Sequence, residues 1–130
     1  MNLAVLGSGG REHAICYKLK QSSRVKKLFC IPGNAGTQKI ALNINEDISN
    51  FDKLYKVIKK NKIDLVIVGP EQPLVDGVVD FLNKKKIMVF GPDKYSSQLE
   101  SSKAFMKNLC KENNIPTASF GVFTNFNDAS

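Results

Sequence analysis

The chain predicts an α/β protein, a parallel sheet with helices on both faces. Two observations lead there. Short apolar runs alternate along all 130 residues with segments whose apolar side chains recur at helical spacing. Three of the runs end in glycine-bearing turns, at 7–10, 32–36 and 69–71. Alternation of strand and helix favours parallel strands joined by crossovers. Ligands of such sheets bind beyond the C-terminal strand ends, where these turns fall.

Each element follows from local chemistry. Residues 3–6 read as the first strand. Gly7-Ser8-Gly9-Gly10 is a tight turn, and 11–21 a helix with Ile15 and Leu19 stacked at i, i+4. Residues 27–31 form the second strand, and 39–44 a short extended piece. Phe51, Leu54, Tyr55 and Ile58 make a helix stripe, which Asn50 or Ser49 can cap. The β-branched run 63–68 reads as a central strand covered on both faces. Val75, Val78, Val79 and Leu82 repeat the helix stripe, and 87–90 give the next strand. A longer helix is expected over 96–113, with Met106, Leu109 and Cys110 on one face. Pro116 then precedes an extended segment, 117–123, and a capped helix is expected to begin at 124. A domain seldom stops one turn into a helix, so a piece of a longer protein is expected.

Composition narrows the function. Hydrophobic residues make up 42%, enough for a core, and no repeat or low-complexity tract suggests disorder. The net charge of +7 comes mostly from scattered lysines and from two runs, 59–62 and 84–86, at expected helix ends. Lysine there complements the helix dipole. No aromatic residues interleave with the lysines, which argues against nucleic acid. No apolar stretch approaches the roughly 18 residues of a membrane span, and the start lacks the pattern of a signal peptide. Cys16, Cys30 and Cys110 are too far apart for a metal or disulfide framework and read as buried thiols of a reducing compartment.

The first turn presents backbone N–H groups at a helix N-terminus and so favours a phosphate. The dinucleotide fingerprint needs glycine at its first, third and sixth positions. Here these are Gly7, Gly9 and Glu12, and no acid ends the second strand. A P-loop fails as well, because no Gly-Lys-Ser/Thr follows. Arg11 is either a bidentate grip for an anion or a solvated helix-start residue. Glu12 also suits a helix start. His13 reads as a packed or hydrogen-bonded side chain at the rim. Glu71, after a buried strand and a Gly-Pro turn, can accept from hydroxyls or an amine, or cap its turn. Asp76 is expected early in the following helix.

Together, G-S-G-G-R-E-H-A at 7–14, P-G-N-A-G-T at 32–37, D-L-V-I-V-G-P-E at 64–71, P-L-V-D-G-V-V-D at 73–80, L-E-S-S-K-A-F-M-K at 99–107 and I-P-T-A at 115–118 resemble the N-terminal part of the phosphoribosylamine–glycine ligase family. The resemblance covers essentially the whole chain. It implies a Rossmann-like domain preceding an ATP-grasp domain, with residues 1–100 binding substrate and 101–130 forming a linker and the first ATP-grasp elements. It also implies a cytoplasmic ligase of purine biosynthesis, with phosphoribosylamine, glycine and ATP as substrates and Mg²⁺ or Mn²⁺ as the metal.

Position by position, the resemblance gives the sugar-phosphate substrate to Gly9, Gly10, Arg11 and Glu12, to Pro32, Gly33 and Asn34, and to Gly69, Pro70 and Glu71. It turns Lys103 toward ATP phosphate. Family enzymes are about three times longer, so the ATP lid, the metal ligands and a C-terminal domain are expected elsewhere, and the chain alone is expected to be inactive. Two other readings stay open, an NAD(P)-binding oxidoreductase domain and a non-catalytic sugar-phosphate-binding module.

Overall fold

The computed structural model describes residues 1–123, 125 and 127. The sheet has five parallel strands: β1 (Asn2–Gly7), β2 (Lys27–Pro32), β3 (Leu42–Asn43), β4 (Leu65–Val68) and β5 (Met88–Phe90). Their order is β3-β2-β1-β4-β5. Register pairs Gly7 with Pro32 and Leu6 with Val68, so the turns after β1, β2 and β4 share one rim. The chain first winds outward through β2 and β3, then returns to the other side of β1 as β4. The crevice between β1 and β4 is therefore the topological switch point.

Helix α1 (Gly10–Lys20) covers one face. Its Cys16 is fully buried against Leu3, Val5, Leu28 and Cys30. On the other face lie α2 (Phe51–Lys60), α3 (Glu71–Asp76) and α4 (Val78–Lys84). Leu54, Ile58, Val78, Val79 and Leu82 close this larger core over Ala4, Leu6, Val66 and Val68. Asn50 caps α2, its Oδ1 accepting from Lys53 N–H at 3.0 Å.

The structure corrects several boundaries. The stripe from Val75 to Leu82 is two helices, because Gly77 takes a left-handed φ of 96° and ends α3. Asp76 thus closes a helix and accepts from Gln72 Nε2 at 2.9 Å. The long helix expected over 96–113 is also two, α5 (Gln98–Ser101) and α6 (Lys103–Glu112). Ser102 adopts an extended backbone and caps α6 by accepting from Phe105 N–H at 3.2 Å. Residues 115–123 join no strand of the sheet. Lys107 Nζ donates to Thr117 Oγ1 and to Ala118 O at 2.6 and 3.2 Å. The helix start expected at 124 falls mostly outside the described residues.

Strand β4 lies inside the sheet, but its second face is only partly covered. Val66 and Val68 are buried, whereas Leu65 and Ile67 are half-buried. Beside them on β5, Met88 and Phe90 are 57% and 71% exposed. Cys16 and Cys30 are buried as expected, but Cys110 is half-buried, and all three are free thiols. Interaction with Cys30, together with burial, pushes the Cys16 thiol up.

Ile58 is fully buried beneath the sheet, and Tyr17 is largely exposed on α1. Ile58→Ala is expected to cost about 2–5 kcal/mol. Tyr17→Ala should stay within about 0.5 kcal/mol. Urea unfolding midpoints of the two variants check this.

Candidate functional site

The site begins with backbone conformation. Gly7 ends β1 at φ 120°, which turns the chain sharply into α1. Gly9 is the residue before the helix, with extended backbone and no side chain to cap it. Glu12, in the third helical position, fills the cap's place. Its Oε2 accepts from Gly9 N–H at 2.6 Å.

To do so, the Glu12 side chain folds back into the turn and is only 4% exposed. It fits because three neighbours lack side chains. A Cβ on Gly7 would lie 2.7 Å from Glu12 Cγ, and one on Gly9 2.8 Å from Oε2. One on Gly69 would lie 2.6 Å from Cγ and collide with Oε1. Gly69 belongs to the turn after β4, so Glu12 spans the crevice between the first and third turns. Its Oε1 has no hydrogen-bond partner among the described residues. The nearest cation, Arg11 Nε, stands 3.7 Å from it.

A second tie lies outside the first. Arg11 Nη2 donates to Glu71 Oε1 at 2.9 Å, and both side chains are about half exposed. The hydrogen bond from Arg11 holds the Glu71 carboxyl below the usual carboxylate range, with help from Glu71's own backbone N–H and the guanidinium charge. The same bond to Glu71 raises Arg11 further, and the carboxylates of Glu12 and Glu100 add to it. Three acids therefore surround one arginine on a chain whose net charge is +7. Glu71 and Glu100 also line a hollow of about 260 Å³ with Leu74, Pro92, Ser96, Ser97 and Leu99.

The second turn is fastened by Asn34. Its Nδ2 donates to Ser8 O and Gly9 O at 2.7 and 3.3 Å. Its Oδ1 accepts from Gly36 N–H and Thr37 N–H at 2.7 and 2.9 Å. Thr37 is fully buried, and its hydroxyl donates to Asn34 O and to Asn43 Oδ1, both at 2.9 Å. Gly33, at φ 77°, donates to Gly7 O at 3.1 Å, and a Cβ there would strike Asn43. The His13 ring packs against Gly36.

Ten of the eleven expected site residues therefore meet on one rim: Gly9 to Glu12, Pro32 to Asn34, and Gly69 to Glu71. Lys103 does not join them. It is exposed at the start of α6, beside Ala104, Lys107 and Phe120 to Phe123. Thr37, Asn43 and Glu100 escaped sequence reasoning as site residues. The Asn-x-x-Thr spacing at 34–37 is a usable signal for Thr37, because such pairs close local turns. Asn43 and Glu100 carry none, since topology alone brings them here. Gly10 differs from its neighbours, as a Cβ there would meet nothing within 4 Å. Space is open on that side of the turn.

Fold and rim define a doubly wound α/β domain whose glycine turns converge at the switch point. Residues 1–100 match the family model described as the N domain of phosphoribosylglycinamide synthetase, and the chain belongs to that family. A phosphoribosylamine–glycine ligase of Rhodopirellula baltica is 48% identical over 99% of this chain and 30% of its own length. The bifunctional purine biosynthetic protein purD of Dictyostelium discoideum is 45% identical over 98% of the chain and 16% of its own. Among solved structures, phosphoribosylamine–glycine ligase from Thermotoga maritima superposes with a TM-score of 0.68 at 30% identity, over 92% of this chain and 26% of that one. N5-carboxyaminoimidazole ribonucleotide synthetase from the same organism shares the fold, with a TM-score of 0.75 at 14% identity over 98% of this chain and 35% of that one. The chain spans about 30% of the length of the monofunctional relatives it matches.

Two predictions follow from the two ties. Gly69→Ala should destabilise the fold by about 1–3 kcal/mol. In a double-mutant cycle with Glu12→Ala the penalties should fall short of additive, because the shortened side chain vacates the space. Glu71 should titrate below an ordinary glutamate by NMR, and return toward it in Arg11→Ala. Its folded pKa is depressed, so the stability it lends is present above the unfolded pKa and is lost as pH falls through the folded value.

Proposed function

We propose that this chain forms the substrate-binding wall of an ATP-dependent ligase that joins glycine to phosphoribosylamine, giving glycinamide ribonucleotide, ADP and phosphate. Family membership and the convergence of three turns on one crevice support this reading. The observation that carries it is the bridging of the first and third turns by Glu12 and by the Arg11–Glu71 pair. The buried Glu12 side chain sets how closely the two turns approach, and a fixed approach is what positioning a small substrate demands. In this reading ATP phosphorylates the glycine carboxylate. The amine of phosphoribosylamine then attacks the acyl carbon, the C–N bond forms, and phosphate departs with the C–O electrons.

Residues 1–100 would supply the phosphoribosylamine site through the ten rim residues. Residues 101–130 would open the ATP-binding part, with Lys103 facing phosphate. Two observations favour the division: the family model stops at residue 100, and α6 packs chiefly on α5 rather than on the sheet. Among the described residues no group of three or more His, Cys, Asp or Glu is placed to hold a metal ion. In this proposal the ligands of a Mg²⁺ or Mn²⁺ ion fall in the further length that the relatives carry. A cytoplasmic setting belongs to the same proposal, and no helix among the described residues is long and apolar enough to cross a membrane.

The test uses the chain alone and the chain fused to the remaining length of the Rhodopirellula relative. Alone, it should bind glycinamide ribonucleotide saturably in a calorimeter and release no ADP when given all three substrates. The fusion should form product. Arg11→Ala in the fusion should lower kcat/KM for phosphoribosylamine by about tenfold or more while leaving KM for ATP unchanged. A folded fusion without product, or a chain that binds NADH instead, would overturn the reading.

A further inference from the structure

The glycine turn is shaped like a phosphate cradle, but its seat is taken. Gly9 N–H, which would face an anion at the start of α1, already donates to Glu12 Oε2 at 2.6 Å. The rest of the Glu12 side chain fills the volume beside Gly7 and Gly69. Glu12 is only 4% exposed, and its second oxygen finds no hydrogen-bond donor among the described residues. Arg11, whose Nε lies 3.7 Å from Glu12, bonds more closely to Glu71, at 2.9 Å. Glu100 acts on the same guanidinium. A phosphate placed here would meet a resident negative charge, two further carboxylates and a donor already in use. An amine or hydroxyl would instead meet the half-exposed Glu71 carboxylate at the mouth of the crevice.

We propose that Glu12 is a built-in anion occupying the phosphate seat of the first turn. The turn then meets its ligand through a hydrogen-bond donor, an amine or a sugar hydroxyl, and excludes phosphate and pyrophosphate. Position 12 is where a complete G-x-G-x-x-G pattern would carry its last glycine. A single side chain thus separates this turn from a phosphate-binding one. The inference rests on the substrate-wall reading only for the identity of the donor, which in that reading is the amine end of phosphoribosylamine rather than its phosphate.

The test is a ¹⁵N-NMR titration of the 130-residue chain and of two variants, Glu12→Gly and Glu12→Gln, with inorganic pyrophosphate. Circular dichroism confirms which variants fold. In the native chain the Gly9 and Gly10 amides should not shift saturably. Glu12→Gly vacates the seat and should bind pyrophosphate at those amides about tenfold more tightly or better. Glu12→Gln keeps the size and loses the charge, and should fall between; it decides the matter if the glycine variant does not fold. Saturable pyrophosphate shifts at Gly9 and Gly10 of the native chain would overturn the proposal. So would folded variants that bind pyrophosphate no better than the native chain does. A parallel titration with ribose 5-phosphate separates the two readings. Its failure to shift any of the three turns counts against the substrate wall, whereas the pyrophosphate result alone decides the role of Glu12.

Discussion

Glu12 occupies a space that exists only because positions 7, 9 and 69 carry no side chain. The rest of the rim depends on this fit. The side chain completes the start of α1, fixes the turn after β1, and sets how closely the turn after β4 can approach it. Burying a carboxylate with one oxygen lacking a hydrogen bond among the described residues is costly, by about 1–3 kcal/mol or more for a charged group. The fold tolerates that cost at the topological switch point, where doubly wound sheets hold their ligands. Cost concentrated at a site is the usual mark of a constraint set by function rather than by folding.

Much of this was legible in the sequence. The alternation of runs gave the sheet, and the glycine turns marked the rim. The failure of the dinucleotide pattern at Glu12 was visible as a mismatch. What the residue does instead was not, because its partner Gly69 is remote in sequence and becomes a neighbour only through the return of the chain beside β1. Asn34 was likewise expected to face substrate. Both ends of its amide are committed to the turns, which gives it a role in holding their shape. The broken helices were missed for a local reason. Gly77 and Ser102 interrupt patterns whose apolar spacing carries on across the break, and spacing alone does not register one residue leaving helical conformation.

The electrostatics of the rim run against the rest of the molecule. Lysines dominate the surface, yet Glu12, Glu71 and Glu100 gather around Arg11. Such local inversion keeps the arginine engaged while no ligand is bound. Any group that drew on the guanidinium would first have to displace Glu71. Exposed pairs of this kind add little to stability. Their worth lies in orientation.

The partly open face of β4 and β5 gives the lysine run at 84–86 a meaning beyond helix-end chemistry. Met88 and Phe90 stand exposed on a strand at the edge of the sheet, the arrangement through which copies of a protein stick to one another. Three lysines stand immediately before that strand in the chain, and like charges near an exposed edge disfavour its pairing with a second copy. Repulsion of this kind reaches only about a Debye length, roughly 8 Å at physiological ionic strength. Added salt should therefore weaken whatever repulsion the lysines supply at this edge.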